Sequence, residues 1–302
     1  MEIGGMLEME ASMTAVTYGR EMDCAPTLTD REVVDFCRNG YLMLPGVVPD
    51  DVNRQVIDYL DRVDSTYEPT PIMKESFFVD GVLMNPQAAG AVRSLLGSGF
   101  TLPLIISNHR GPLPFDQPQN WHRDGGTIYT DQLEYLQVFY YPEECTEDMG
   151  PTVVLPGSHF MRNKAPMMAH LGSIRGTVSS AGPAGTIFLT VYGIWHRRSR
   201  ASSGQRGKSR FRNLLKYNYW RTVPPRRDWI TEEDIDFNTI KFDPPAGVFE
   251  QFQGAIAAAR MFTWLCGAED EYRKRGGQCW PIATTVREGV NQEGAPRSLA
   301  NR

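Results

Sequence analysis

The stretch "NWHRDGG", residues 120–126, sets an imidazole and a carboxylate two positions apart, at His122 and Asp124. On a strand or along its edge, residues i and i+2 face the same side. The pair is therefore either one edge of a metal site or an ordinary polar turn. A third ligand has few sources, because the chain holds only five histidines: His109, His122, His159, His170 and His196. His196 is the best placed, closing the apolar, strand-like run "GTIFLTVYGIWH" just before a polar loop. Two imidazoles and one carboxylate on one face of a metal leave three positions open. That suits non-haem Fe(II), which must take a co-substrate and O2 together. Zinc competes, but its structural sites prefer a closed set with cysteine, and no Cys neighbours these residues. A buried, hydrogen-bonded histidine without a metal is the other reading of His196.

The segment "HRRSRASSGQRGKSRFR", 196–212, adds Arg197, Arg198, Arg200, Arg206, Lys208, Arg210 and Arg212, with no acidic residue. An iron oxygenase that uses 2-oxoglutarate needs an arginine near the metal, because a guanidinium fork matches the far carboxylate in two parallel bonds. Arg212 opens the alternating run "RNLLKYNYW" and is the first choice to point inward; Arg210 shares its side by period 2 and is the fallback. The rest of the run reads as a solvated loop.

These residues lie far apart in sequence, so the fold must assemble them. At 302 residues with a net charge of −5, the composition is that of a soluble globular protein. The charge gives no global attraction to nucleic acid or anionic membrane, and no apolar stretch has the length of a membrane span. Glutamates interrupt the N-terminus where a signal peptide needs an apolar core, so the expected location is cytoplasmic. Five scattered cysteines without a C-x-x-C pair read as free thiols.

Residues 1–26 lack periodicity and are expected to form a flexible extension. A single domain is expected over 27–280 and a solvated tail over 281–302. "TDRE" at 29–32 is a capping box opening a helix that stops at Gly40. "YLMLPGVV" reads as a short strand broken by Pro45-Gly46, then comes a helix from Asp50, and a third from Asn85-Pro86 to near Gly97. The segment 65–84 mixes aromatics, Pro and Met as a lid over an apolar ligand does, and as core packing also does. From about 100 to 222, short apolar runs alternate with Gly, Pro and Asp turns, the texture of an antiparallel sandwich or barrel. A helical C-terminal part is expected at about 245–275. The fold class is mainly β with flanking α-helices.

Taken in order, five motifs resemble the phytanoyl-CoA dioxygenase (PhyH) family of Fe(II)/2-oxoglutarate oxygenases over roughly residues 28–220. They are "LTDREVVDFCRNGYLMLPGVVPDD", "NWHRDGG", "LQVFYYPEECTEDMGPTVVLPGSH", "AGTIFLTVYGIWH" and "FRNLLKYNY". The resemblance implies a double-stranded β-helix core, a jelly roll of the cupin type. It implies Fe(II) held by His122, Asp124 and His196, and Arg212 on the distal carboxylate of 2-oxoglutarate. Gln137, Phe139, Asn108 and His109 fall where the family lines the co-substrate pocket. His159 is expected to fasten the Pro-Gly-Ser-His turn, and His170 to lie on a surface loop. Trp121 and Arg198 are candidates for contact with the substrate. The chain departs from its relatives in a longer gap between His196 and Arg212, in Arg198 where many carry a small hydroxyl residue, and in Phe139 where tryptophan is common.

The implied activity is oxidation of an unactivated C–H bond of a small molecule, with O2 and 2-oxoglutarate as co-substrates and succinate and CO2 released. Halogenating relatives replace the carboxylate ligand with a small residue; Asp124 is present, which favours hydroxylation. A non-catalytic jelly-roll binding protein is one rival, since folds do not fix functions. A divalent-metal hydrolase or isomerase on a cupin-like barrel is the other. No nucleic-acid or membrane partner is expected.

Overall fold

The computed structural model describes residues 20–63, 67–113, 117–124, 131–161, 167–201, 211–232 and 248–268. The C-terminal tail, residues 1–19, the fallback Arg210, Gly125-Gly126 and Cys279 lie outside them. The other four cysteines are free thiols. No helix among the described residues is long and apolar enough to cross a membrane.

The capping box forms as the sequence predicts. The Thr29 hydroxyl accepts from the Glu32 backbone N–H, and the Glu32 carboxylate accepts from that of Thr29. The helix it opens, α1 (Asp30–Asn39), buries Val33, Val34, Phe36 and Cys37 and ends at Gly40, whose φ of 78° lies in the left-handed region. Helix α2 (Asp50–Arg62) follows, and α3 (Pro86–Leu96) starts where the Asn85 carbonyl oxygen accepts from Gln87 and Ala88. Between them, Ile72, Phe78, Val82 and Leu83 are fully buried in the main core. The lid reading of 65–84 therefore gives way to core packing for most of that segment. Tyr67, 71% exposed, faces a cavity.

Among the described residues, fourteen short strands form the β core. The larger sheet contains β1 (Glu21–Met22), β2 (Tyr41–Leu44), β3 (Phe100–Thr101), β4 (Ser107–Asn108), β7 (Tyr135–Tyr141), β11 (Thr186–Val191) and β14 (Leu215–Trp220). Its order is β1-β3-β14-β7-β11-β2, with β4 also on β14. The smaller sheet contains β6 (Trp121–His122), β8 (Thr152–Val154), β9 (Met167–Met168), β10 (Val178–Ser179) and β12 (His196–Arg198), in the order β10-β8-β12-β6-β9. A ribbon joins β5 (Gly111–Pro112) to β13 (Phe211–Arg212). Every pairing within the sheets is antiparallel, and the architecture is a jelly roll. Residues 21–22 depart from the expected flexible extension: β1 pairs with β3 and gains ladder hydrogen bonds that a free segment lacks.

Period 2 sorts the larger sheet into two faces. Leu136, Val138 and Tyr140 of β7, Ile187 and Leu189 of β11, and Leu215, Tyr217 and Tyr219 of β14 join the helices in the main core. The alternate residues face the smaller sheet, where Phe139, Phe188 and Leu214 build a second cluster. Helix α4 (Val248–Leu265) packs on α1 and buries Ala258, Met261 and Phe262. The fully buried Asp30 ties the chain before α4 to α1: it accepts from the Arg227 guanidinium, Trp229 Nε1 (2.8 Å) and Glu232 N (2.8 Å).

His159 fastens its turn to α1, its Nε2 donating to the Cys37 carbonyl at 2.9 Å while Gly157 N reaches Asn39 O at 2.9 Å. Burial presses its imidazole down to about 4, against a usual 6.5, and the Cys37 hydrogen bond recovers only part of that. An unfolded chain takes up this proton near 6.5 and the folded one resists it. Stability from this group is thus complete above that range and is lost as pH falls toward 4, by up to about 3 kcal/mol. Replacing His159 with Gln removes the titration. Urea unfolding from pH 7 to 4 should show a shallower acid limb for H159Q than for the wild type.

Candidate metal centre

The register of the smaller sheet sets His196 of β12 directly opposite His122 of β6. The two rings face each other with centroids 4.4 Å apart. Asp124 follows β6 by two residues and returns to the same side. One ligand atom from each of the three lies within 4.8 Å of the others. Asp124 Oδ2 is 3.2 Å from His196 Nε2, and Oδ1 is 3.9 Å from His122 Nε2.

Backbone carbonyls fix how the imidazoles are presented. His122 Nδ1 meets Asn120 O at 2.8 Å, and His196 Nδ1 meets Ile194 O at 3.1 Å. A carbonyl only accepts, so each Nδ1 carries the hydrogen and Nε2 is the ring atom turned toward Asp124. The donor set fits a divalent ion with open positions, and it contains no thiolate of the kind that closes a structural zinc site.

Electrostatics support the same view. Burial pushes the Asp124 carboxyl up, but the His196 ring and the Lys216 ammonium outweigh it and hold it well below the usual carboxylate range. Burial, then the neighbouring His196, pushes the His122 imidazole down, which keeps its ligand lone pair available. Gln137 Nε2 donates to Asp124 Oδ2 at 2.6 Å, so this residue stands behind the carboxylate and aims it.

A cavity of about 390 Å³ opens onto the two histidines. Of the residues singled out in the sequence, Asn108, His109, Phe139, Arg198 and Arg212 line it as well. Phe139 lies 5.7 Å from the His196 ring, edge-on. Asn108 is held by Asn213 Oδ1 at 3.0 Å and by the Leu214 N–H at 3.1 Å. Arg212 is 3% exposed and donates to the Gly150 carbonyl. Arg198, on β12 two residues beyond His196, donates to Gln117 O at 3.3 Å. His170 is exposed.

Trp121 needs correcting. It precedes His122 on β6 and so points to the opposite face, where it is fully buried with Trp195 and Met168 and donates to Gly172 O at 2.9 Å. It is part of the sandwich's outer packing and does not line the cavity.

Sequence reasoning passed over Lys216, Arg110, Gln119 and Thr152, all on the cavity wall. The signal for Lys216 was present: period 2 from Arg212 through Leu214 reaches it along "RNLLKYNYW". Its ammonium donates to Asp124 Oδ2. Among the described residues, the wall carries Arg110, Arg198, Arg212 and Lys216 and no carboxylate.

Residues 36–207 match the family model described as phytanoyl-CoA dioxygenase (PhyH). Over 114 residues, 36% of this chain, the sequence is 30% identical to the uncharacterized protein Rv1501 of Mycobacterium tuberculosis and, to the same degree, to Mb1539 of Mycobacterium bovis. The match spans 38% of the length of those relatives. Among solved structures, HygX from Streptomyces hygroscopicus with iron bound is similar at a TM-score of 0.51 and 17% identity, covering 67% of this chain and 90% of that one. HygX with nickel, 2-oxoglutarate and hygromycin B bound gives 0.51 and 16%, with the same coverage. The epimerase SnoN, in complex with Fe3+, alpha-ketoglutarate and nogalamycin RO, gives 0.50 and 14%, covering 72% of this chain and 91% of that one. At these identities the likeness establishes the shared jelly-roll fold.

Removing Asp124 takes away the charged ligand and leaves two neutral imidazoles. Titration calorimetry with Ni(II) should show D124A binding more than about 100-fold more weakly than wild type, beyond what loss of an outer hydrogen bond alone costs. Equal affinity would remove Asp124 from the metal centre.

Proposed function

The chain belongs to the phytanoyl-CoA dioxygenase (PhyH) family, and on that footing we propose that it is an Fe(II)- and 2-oxoglutarate-dependent oxygenase. In this reading it hydroxylates an unactivated C–H bond of a small organic substrate and releases succinate and CO2. The observation that carries the reading is the convergence of His122, Asp124 and His196, with the two histidines lining one cavity.

His122, Asp124 and His196 would hold the iron, which when bound supplies O2 activation coupled to decarboxylation of 2-oxoglutarate. The chain's own groups do the positioning. Arg212, buried at the cavity wall, receives the distal carboxylate of the co-substrate in a two-pronged contact. Asn108 and His109 add polar walls, and Phe139 an apolar one that excludes water beside His196. Gln137 keeps Asp124 turned toward the histidines. Asp124 would hold the ion at the position that halogenating relatives vacate for halide. That supports hydroxylation over halogenation.

The cationic wall bears on the substrate. With Arg212 given to the co-substrate and Lys216 held by Asp124, Arg198 and Arg110 remain on the described lining, and no carboxylate accompanies them. An anionic small molecule suits such a wall, and Arg198, beside His196 on β12, is the residue placed to receive it. The similar HygX structure holds hygromycin B, a small-molecule ligand. SnoN is described as an epimerase, so product analysis, beyond succinate release, is what identifies hydroxylation.

Anaerobic addition of Fe(II) and 2-oxoglutarate should produce the visible charge-transfer band of the chelate. A failure to form the band, together with no succinate release across a substrate panel, would reject the oxygenase in favour of a binding protein or a metal hydrolase. Replacing Arg212 with Gln should weaken 2-oxoglutarate binding at least roughly 30-fold, the scale of losing one partner of a buried charge pair. The titration of that same band reads it directly.

A further inference from the structure

Lys216 is not needed by the reading above, yet it sits at its centre. It lies on the inner face of β14, in register with Phe139 of β7. Its ammonium is 5.9 Å from the Phe139 ring centroid and donates to Asp124 Oδ2. That oxygen also receives Gln137 and stands 3.2 Å from His196 Nε2. An ion gripped by the triad must therefore share its one charged ligand with an ammonium of like sign. Two cations competing for one carboxylate in a half-buried site weaken each other's hold on it. Lysine is suited to move: its charge rides on a flexible four-carbon stem, and that stem lines the same cavity as Arg212.

We propose that Lys216 is a positioning residue that couples the two binding events of this site. It competes with the divalent ion for Asp124, and the carboxylate of an arriving 2-oxoglutarate draws it off. Freed of the ammonium, Asp124 binds the ion more tightly. By linkage the ion favours the co-substrate to the same degree. Gln137, a neutral donor, stays on Asp124 throughout and keeps it oriented. The inference rests on the metal-site reading given above, but it assigns Lys216 a task which that reading does not require.

The test is calorimetric titration of Ni(II) into the full chain, with and without 2-oxoglutarate, for wild type, K216M, K216Q and K216R. K216M keeps the length of the stem and removes the charge; K216Q repeats the neutral change with a polar chain. Without 2-oxoglutarate, K216M and K216Q should bind Ni(II) about tenfold more tightly than wild type or more, the scale of a modest coupling energy. The enhancement that 2-oxoglutarate brings should shrink in them by the same factor. K216R, which keeps the charge, should behave like wild type, a result that a merely structural role for the side chain does not give. Wild-type binding of Ni(II) with no gain in the neutral variants, or an equal gain in K216R, overturns the coupling while leaving the metal site intact. Absence of Ni(II) binding in wild type and neutral variants alike overturns the metal-site reading and the coupling with it.

Discussion

The antiparallel register that puts His196 opposite His122 is the constraint on which the centre depends. A slip of one residue would turn either imidazole to the far face, because the side-chain period of a strand is two. The register is held from the outside. Trp195 and Trp121, immediate neighbours of the two histidines, are buried on the opposite face with Met168. Arg197 stacks over the Trp121 ring at 4.8 Å and Arg123 over Trp195 at 4.9 Å. Arg123 also donates to Ser158 O and Met161 O, and Ser158 Oγ accepts from Trp195 N at 2.9 Å. The tryptophans and histidines are thus two faces of one device: apolar anchors outside, polar ligands inside.

The larger sheet supplies the opposite wall by the same alternation. Its outward residues are committed to the helical core, which leaves Gln137, Phe139 and Lys216 to face the histidines. Asp124 is where the two sheets meet chemically. It follows β6 of the smaller sheet and is met by Gln137 and Lys216 from the larger one. A lone half-buried carboxylate amid imidazoles, an amide and an ammonium stays ionised because those partners replace the water it lost. The helices contribute by holding the edges: Gly40 lets α1 turn sharply into β2, where an added Cβ would come within 2.4 Å of His159 Nδ1.

Much of this was legible in the linear chain because it is local. The capping box at Thr29, the stop at Gly40, the Asn85-Pro86 helix start and the apolar run ending at His196 are all dictated by neighbouring residues. The pairing of His122 with Asp124 followed from strand period alone. The third histidine was a choice among few, and the ordered motifs made it. What failed was the assignment of faces outside that logic. Trp121 stands as a candidate for substrate contact in the sequence, although its parity with His122 already sends it outward. The segment 65–84 has a composition that suits a lid and a core equally, and only the packing of Phe78, Val82 and Leu83 separates the two.

The sequence by itself determined the chemistry on offer: two imidazoles, a carboxylate and a nearby arginine, each on or beside a strand whose alternation sets its face. It did so because residue type and local period depend only on near neighbours. The tertiary structure alone decided that these groups converge, that Gln137 and Lys216 share one oxygen of Asp124, and that Arg212 and Arg198 line the same cavity. Those facts depend on which strands pair and in which register, across separations such as the 92 residues between Asp124 and Lys216. Long-range pairing of this kind is set by the burial of whole sheet faces, which no short stretch of sequence encodes.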